Sequence, residues 1–333
     1  MAPPAPRVTF AMQRYLFPCM VLAVALLAAA SLFIGVSEVS FLDVLTGRAD
    51  AAALEILAVS RLPRTLSLLL AGAAMAVAGL LMQMLARNRF VEPSTAGTVE
   101  SASLGLLVVL IFAPALPVMG KMLVASLFAL AGTALFMAIL ARIPHRSTLV
   151  VPLVGIMLGG VINAGTTFFA YRYDLMQSLG AWTMGDFSGV LRGRYELLWL
   201  ALALTVAAYI AADRFTVAGL GRSFTTNLGL HYGRVLALGL TIVSLVTAVV
   251  VVTVGSIPFL GLIVPNLVSM AIGDNVRRGL PWVALTGALF VLVCDIVGRT
   301  IRAPYEVPLG TIVGVLGSGL FLYLLLKDRK RLG

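Results

Sequence analysis

Residues Gly255 to Pro281 read G-S-I-P-F-L-G-L-I-V-P-N-L-V-S-M-A-I-G-D-N-V-R-R-G-L-P. The apolar part, Ile257 to Ile272, is shorter than the ~17 to 25 residues that a helix needs to cross a bilayer, and it contains two prolines and a glycine. In lipid every backbone amide must find a partner, so a broken helix survives only against protein or beside a wet cavity. The stretch therefore predicts a bent membrane segment, which serves either a transport route or packing in a large bundle.

The composition places the whole chain in the membrane. Of the 333 residues, 60% are hydrophobic and 11% are charged, and the mean hydropathy is +1.04. Soluble domains are only about 45 to 50% apolar, so we expect an all-α polytopic membrane protein. The two cysteines both fall in apolar runs, which argues against a disulfide framework and against a thiolate metal site.

The apolar runs predict ten transmembrane helices in one permease domain, residues 1–333, with both termini in the cytosol. The expected spans are 15–36, 63–86, 93–113, 122–141, 149–170, 197–212, 235–254, 257–272, 280–297 and 307–326. With this arrangement most of the 24 Lys and Arg residues face the cytosol, as the positive-inside rule requires. The net charge of +10 then reflects topology, and we expect membrane lipid and no nucleic acid as a partner.

Two connections are expected to carry particular features. Residues 37–61 form a polar linker ahead of the second span, which is rich in small residues and should be central in the bundle. Residues 213–234 are too long for a tight hairpin and too amphipathic for a loose linker, so one or two short helices are expected there. Those helices either contact a partner or lie on the membrane surface.

The sequence offers little catalytic chemistry. It has no phosphate-binding G-x-x-x-x-G-K-[ST] motif, and its two histidines fall in predicted cytosolic loops. The expected spans contain no nucleophile with a nearby base, which argues against a membrane-embedded enzyme. Carboxylates near the spans are limited to Glu100 and Asp295, which is little for an ion-coupled secondary transporter of an organic solute. We therefore predict no catalytic residue and no metal site, and an energy source outside this chain.

Several strings together carry a family resemblance. They are R-L-P-R (Arg61–Arg64), G-A-A-M-A-V-A-G-L-L-M-Q (Gly72–Gln83), Arg87-Asn88, G-S-I-P-F-L-G-L-I-V-P (Gly255–Pro265), D-I-V-G-R (Asp295–Arg299) and E-V-P-L-G (Glu306–Gly310). In this order, over about residues 15 to 328, the chain resembles the iron–siderophore and vitamin B12 permeases of bacterial ABC importers, of type II.

The resemblance implies a ten-helix subunit of the bacterial inner membrane that moves a ferric siderophore into the cytoplasm. It implies a second homologous permease subunit, two cytosolic ATPases and an extracytoplasmic siderophore-binding protein as partners. This chain would bind no cofactor, because ATP and Mg belong to the partner ATPase. In place of the family's frequent Asn-Pro-Leu-Ala-[Asp/Glu]-Pro, this chain has N-R-F-V-E-P at 88–93. That difference points to the catecholate or mixed-ligand branch and to a heterodimer of different permease chains.

The resemblance also implies three sets of functional residues. The ATPase would be engaged by the loop 213–234, at Asn227, Leu228, Gly229, Leu230 and His231. The binding protein would dock at Arg61, Arg64, Arg299 and Arg302, because arginine pairs well with carboxylates; the alternative is snorkelling to the interface. The translocation pathway would include Asn163, Thr166, Thr167, Phe168, Gly261, Pro265 and Asn266, any of which alone could simply be a packing residue.

Overall fold

The computed structural model describes residues 10–35, 40–143, 150–273 and 275–332, and these residues form helices joined by turns with no strand among them. In chain order the helices are α1 (Phe10–Phe33), α2 (Phe41–Leu45), α3 (Ala51–Ile56), α4 (Leu62–Leu85), α5 (Thr98–Phe112), α6 (Val118–Arg142), α7 (Val150–Arg172), α8 (Met176–Thr183), α9 (Leu198–Ile210), α10 (Ala212–Gly219), α11 (Arg222–Asn227), α12 (Tyr232–Val254), α13 (Leu260–Ile272), α14 (Val276–Thr300) and α15 (Leu309–Leu332). The chain is thus an all-helical polytopic membrane protein.

Six helical stretches in the described part of the chain are long and apolar enough to cross a membrane. They are Arg14–Phe33, Ala51–Leu85, Val118–Arg142, Val150–Arg172, Tyr232–Val254 and Val276–Thr300. A seventh arises if α9 and α10, which bend by 64° at their junction, are counted as one span. Three shorter apolar helices complete the set, namely α5, α13 and the first part of α15. The predicted shortness of the 257–272 segment is confirmed, since α13 has only 13 residues, with Pro265 among them.

The expected polar linker at 37–61 is wrong for its second half, which is helical. Asp50 caps α3 by accepting a hydrogen bond from the amide of Ala53 at 2.8 Å. From α3 the helix continues through one wider turn, Leu57–Arg61, directly into α4, where Pro63 occupies the first turn. Asp50 as an N-cap and Pro63 in the first turn of α4 both favour a helix start. Charged side chains on an exposed face do not prevent helix formation.

Helix α4 lies at the centre of the bundle, as its small residues predict. It contacts α9, α12, α13 and α14, and most of its side chains are buried. Small residues bring the backbones together: a Cβ added at Gly72 would lie 3.0 Å from the Cα of Ala288 on α14. Close backbone approach of this kind is a main source of helix association inside membranes.

Candidate functional site

The N-terminus of α13 lies inside the protein and has no cap of its own. Phe259, which precedes the helix, has a φ of 61° and makes no side-chain capping bond. The carboxylate of Glu92 takes that role from the connection between α4 and α5. It accepts a hydrogen bond from the amide of Phe259 at 2.9 Å, and the amides of Gly261 and Leu262 also donate to it. Glu92 is 1% exposed. A buried carboxylate therefore satisfies the first amides of α13, where water would serve at an exposed helix end.

The proline inside α13 creates a second backbone problem, and α4 resolves it. Pro265 has no amide hydrogen, so the carbonyl of Gly261 four residues earlier loses its normal helical donor. The side-chain amide of Gln83 donates to this carbonyl oxygen at 3.2 Å and to that of Leu262 at 3.4 Å. A polar group supplied by a neighbouring helix is what permits a proline at membrane depth.

Two further contacts hold α13 against α4 and the connection. A Cβ at Gly261 would lie 2.9 Å from the Cα of Gly79 on α4, so both positions are confined to glycine. The side-chain amide of Asn266 donates to the carbonyl of Arg89 at 2.9 Å and to that of Leu262 at 2.7 Å. The N-terminal half of α13 is therefore fixed to α4 and to residues 86–97 through both polar and steric contacts.

This arrangement locates the predicted pathway residues of α13. Gly261, Pro265 and Asn266 are all buried within the single chain, where they contact α4 and the connection. The structure gives Gly261 and Asn266 clear packing functions, and their role in the pathway stays a prediction.

The predicted pathway residues of α7 divide between two faces. Asn163 and Phe168 lie on an exposed face, and Thr167 is half-buried beside them. Thr166 is buried, and its hydroxyl donates to the carbonyl of Ile162 at 2.8 Å. The structure thus leaves one face of α7 open, and the part played by all four residues in transport remains a prediction.

The two short helices expected in residues 213–234 are present as α10 and α11. Gly221, with a φ of 110°, turns the chain between them. Thr225 is buried, and its hydroxyl donates to the carbonyl of Gly221 at 2.7 Å, which ties α11 back to that turn. Two large apolar side chains of this stretch are open to the surroundings: Leu228, directly after α11, is 63% exposed, and Phe224 is similarly open. Of the predicted coupling residues, Asn227, Leu228, Gly229 and His231 are exposed and Leu230 is half-buried.

Three of the four predicted docking arginines belong to a group of residues here called the outer arginine cluster. Arg64 and Arg299 form ion pairs with Asp295 and Glu306, and Arg61 binds the same end of α1 as Arg299. Arg64 binds Asp295 at 2.7 Å and Glu306 at 2.8 Å, and Arg299 binds Asp295 at 2.7 Å. The cluster joins α4 to α14 and to the segment before α15.

The same cluster also binds the C-terminal end of α1. Arg61 donates to the carbonyl of Leu32 at 2.8 Å, and Arg299 donates to the carbonyls of Ser31 and Ile34 at 3.0 and 2.7 Å. Arg61 is 7% and Arg299 8% exposed. To reach a docking partner these two side chains would have to leave α1, so their docking role stays a prediction with that condition attached.

Arg302, the fourth predicted docking residue, is placed differently. It is exposed, and its guanidinium lies 5.9 Å from the ring centroid of Tyr305. Arginine over an aromatic face is held without losing its ability to pair with a carboxylate. Its position is compatible with direct contact to a partner.

Neither the metal-ligating nor the acidic residues suggest a catalytic centre. Among the described residues no three His, Cys, Asp or Glu side chains lie close enough together to hold a metal ion. Glu100 on α5 packs against Gly159 of α7, and one of its carboxylate oxygens is buried with no hydrogen-bond partner. Asp295 is occupied by the outer arginine cluster.

A bundle of this kind can be compared with known transport families. The model of the FecCD transport family matches residues 21–327. The chain belongs to the FecCD transport family. It is therefore a permease subunit of a bacterial ABC importer and a multi-pass protein of the cytoplasmic membrane. It is a transport component and does not itself catalyse a reaction.

Individual relatives agree with the family assignment. The chain is 51% identical over 317 residues to the petrobactin import system permease protein YclN of Bacillus subtilis (strain 168), covering 95% of this chain and 98% of the relative. It is 42% identical over 311 residues to the ferric-anguibactin transport system permease protein FatD of Vibrio anguillarum, covering 93% and 98%. A metal-chelate type ABC transporter solved in an inward-facing conformation has a TM-score of 0.80 at 25% identity, covering 94% of this chain and 99% of that one.

Two residues with clear structural functions escaped the sequence analysis. In the sequence Glu92 stands out only as part of N-R-F-V-E-P, and Gln83 only as the end of the string Gly72–Gln83. The signal in the sequence is a glutamate next to a proline, between two apolar helices. Burying such a carboxylate without a partner costs free energy, so it must have hydrogen-bond donors. The free amides at the start of the broken helix are donors of that kind.

Proposed function

We propose that this permease carries a ferric siderophore, delivered by an extracytoplasmic binding protein, into the cytoplasm. Support comes from the relatives, since YclN is named for petrobactin import and FatD of Vibrio anguillarum for ferric-anguibactin transport. A vitamin B12 permease of Citrobacter koseri is less similar, at 35% identity over 279 residues. The catecholate or mixed-ligand class of siderophore is the substrate that these similarities favour.

The proposed topology has ten spans within a single domain, with both termini in the cytosol. Ten crossings would be made by the six long helices, the three shorter apolar helices and α9, with α10 turned by 64° onto the cytosolic side. The short α13 can lie within the membrane because Glu92 and Gln83 satisfy its unpaired backbone groups. With this topology α10 and α11 lie on the cytosolic side, beside the basic ends of α4 and α14.

The observation that most directly supports ATP-driven transport is the exposed apolar end of α11. Phe224 and Leu228 are exposed on a short helix whose Thr225 hydroxyl also donates to the carbonyl of Val217 of α10 at 3.2 Å. Large apolar side chains exposed outside the lipid-facing spans indicate a protein partner. We assign this surface, with Asn227, Gly229, Leu230 and His231, to the cytosolic ATPase, which would carry ATP and Mg while this chain binds no cofactor.

The test of this surface compares two leucines with matched exposure. Leu228→Ser should abolish copurification of the ATPase and stop siderophore uptake. The control is Leu42→Ser, because Leu42 on α2 is 67% exposed and lies on the opposite side in this topology. Normal ATPase binding by Leu228→Ser would rule out the assigned surface, provided both variants reach the membrane in equal amounts.

We propose that the binding protein docks over the outer ends of α4 and α14. Arg302 supplies a direct contact, and the outer arginine cluster contributes positive potential, since it holds three guanidinium groups and two carboxylates. Exposed complementary charges accelerate docking mainly at low salt. Arg302→Glu should therefore slow binding-protein association at low ionic strength, and an unchanged association rate would remove Arg302 from the interface.

The open face of α7 is the proposed contact with a second permease subunit, a different chain, with the translocation pathway between the two. Asn163, Thr167 and Phe168 would then line the pathway, and Thr166, Gly261, Pro265 and Asn266 would support it from behind. The substrate itself is tested by uptake in a strain that lacks its own importers and expresses the complete system. Uptake of ferric petrobactin or anguibactin, without vitamin B12 uptake, is expected; the reverse preference would refute the assignment.

A further inference from the structure

A cavity of about 470 Å³ lies between α4, α10, α13 and α14, next to the turn that follows α4. The apolar part of its lining, here called its floor, includes Leu80, Met84 and Val283. The polar Gln83 and Asn266 also line the cavity, and their side-chain amides already donate to backbone carbonyls. Its mouth carries two cations, Arg87 and Arg89, both exposed. In the proposed topology this mouth lies at the cytosolic boundary of the membrane. A compartment with an apolar interior and a cationic entrance at that depth fits an amphiphile with an anionic head.

The electrostatics at the mouth favour an anion from more than one element. The N-terminus of α14 contributes Asn275 and Val276 to the lining, and the start of a 25-residue helix carries partial positive charge. None of the described residues that line the cavity is acidic. Asp274, between two lining residues in sequence, lies outside the described residues. Arg277 nearby already pairs with Asp213 of α10.

Arg87 is also held in an unusual conformation. Its φ is 54°, and it is one of three non-glycine residues with positive φ in the described part of the chain. This left-handed residue caps α4, because the amides of Arg87 and Asn88 donate to the carbonyls of Met84 and Gln83 at 3.1 and 2.8 Å, and the cap fixes where the Arg87 side chain leaves the helix. A Cβ at Gly221 would lie 3.2 Å from a terminal nitrogen of Arg87, so the guanidinium packs against the turn between α10 and α11.

We propose that this cavity binds an anionic phospholipid of the inner leaflet, with its phosphate at Arg87 and Arg89 and an acyl chain on the apolar floor. Basic pockets between transmembrane helices on the cytosolic side are suited to such headgroups. The same cations could hold free phosphate, but the apolar floor would then be unused. Because the Arg87 side chain contacts the α10–α11 turn, the lipid would lie directly behind the surface assigned to the ATPase.

Gly279 allows the two ligands to be distinguished. It lines the cavity from α14, and a Cβ built there meets no atom within 4 Å. Gly279→Leu therefore places a side chain in the apolar part of the cavity without changing any charge. This substitution should displace an acyl chain, whereas free phosphate at the mouth should be unaffected.

The experiment measures retention of phosphatidylglycerol by the complete importer complex, using native mass spectrometry with phosphatidylcholine as the neutral comparison. Arg87→Gln should weaken phosphatidylglycerol retention about fivefold, since one arginine near the surface contributes on the order of a fivefold change in affinity. Gly279→Leu should also lower retention. The matched control is Arg214→Gln, which removes an exposed arginine of α10 that does not line the cavity, and it should retain lipid normally.

Other outcomes would overturn the assignment. If Arg87→Gln and Arg214→Gln behave alike, the lipid associates by general charge and the cavity has no specific role. If inorganic phosphate displaces the bound anion and Gly279→Leu has no effect, the ligand is free phosphate and the lipid is excluded.

Discussion

Replacing Glu92 with alanine tests the reasoning about the broken helix most directly. The carboxylate is the acceptor for the amide of Phe259 at 2.9 Å and for those of Gly261 and Leu262. Alanine leaves these donors inside the protein without a partner. It also leaves a space beside the Gly79–Gly261 contact, which water from the bulk cannot easily reach because Glu92 is fully buried.

The expected magnitude follows from those contacts. A hydrogen bond to a charged group contributes about 1.5 to 3 kcal/mol, and each orphaned buried donor costs about 1 to 3 kcal/mol. Both figures describe the loss at each one of the three amide donors. Removing the buried carboxylate charge offsets part of the total. We therefore expect Glu92→Ala to lower the free energy of unfolding by about 3 to 5 kcal/mol. Glu92→Gln keeps one acceptor oxygen and should lose about 1 to 2 kcal/mol.

The assay is thermal unfolding of the purified permease in one detergent, combined with hydrogen exchange of the peptide that contains residues 255–265. At about 2 °C per kcal/mol, Glu92→Ala should lower Tm by roughly 6 to 10 °C and Glu92→Gln by roughly 2 to 4 °C. Exchange should accelerate at the first turn of α13 before other regions. Glu55→Ala is the control, because Glu55 on α3 is exposed.

A Tm for Glu92→Ala equal to that of Glu55→Ala would refute the capping argument. Unchanged exchange at 255–265 alongside a large fall in Tm would also refute it, because the loss would then come from elsewhere in the bundle. If Glu92→Ala does not accumulate, the Gln variant still distinguishes these outcomes.

Three further predictions concern other contacts of the bundle. Gly79→Ala should lower Tm because α13 leaves no room for a methyl group, whereas Gly160→Ala, where a Cβ meets no atom within 4 Å, should leave Tm unchanged or raise it through helix propensity. Asp295→Asn should destabilise the protein by about 3 to 5 kcal/mol, since it leaves the buried Arg299 without a carboxylate partner and Arg64 with Glu306 only. Glu306→Gln, at a more exposed partner, should cost about 1 kcal/mol or less. Thr225→Val should weaken ATPase copurification while membrane levels stay normal, because it releases α11 from its turn without altering the exposed apolar side chains.

Much of the bundle could be predicted from local sequence because it depends on local properties. The small residues of α4 predict close packing, and the prolines and glycine of 257–272 predict a short, broken helix. The loop 213–234 predicts short helices through its amphipathic pattern. In each case the relevant physics acts between residues close together in the chain.

The contacts that complete the site are long-range, and no local pattern indicates them. Glu92 and Phe259 are separated by 167 residues, and Arg299 binds carbonyls of α1 that lie 265 and 268 residues earlier. A helix-end arginine looks the same in sequence whether it contacts a headgroup, a partner protein or a neighbouring carbonyl. The family resemblance implies docking arginines at these positions, while the structure gives Arg61 and Arg299 partners inside the chain.

The position of α13 limits how this permease can move. Its first half is bound to α4 and to residues 86–97 through Glu92, Gln83 and Asn266, so a displacement of α13 must carry those elements with it. Glycines with positive φ stand at both ends, Gly255 at 82° and Gly273 at 93°, and these are the places where the backbone can change direction at least cost.

On the cytosolic side of the proposed topology, α10 rests on α4, α12 and α14. A push from an ATPase on α10 and α11 would therefore act on α4, α12 and α14, and α4 and α14 would pass it to α13, which both of them contact. It follows that the broken helix is not a freely swinging gate. It is the inner part of a unit built around α4, and breaking the Glu92 cap should uncouple α13 from that unit while leaving the ATPase surface intact.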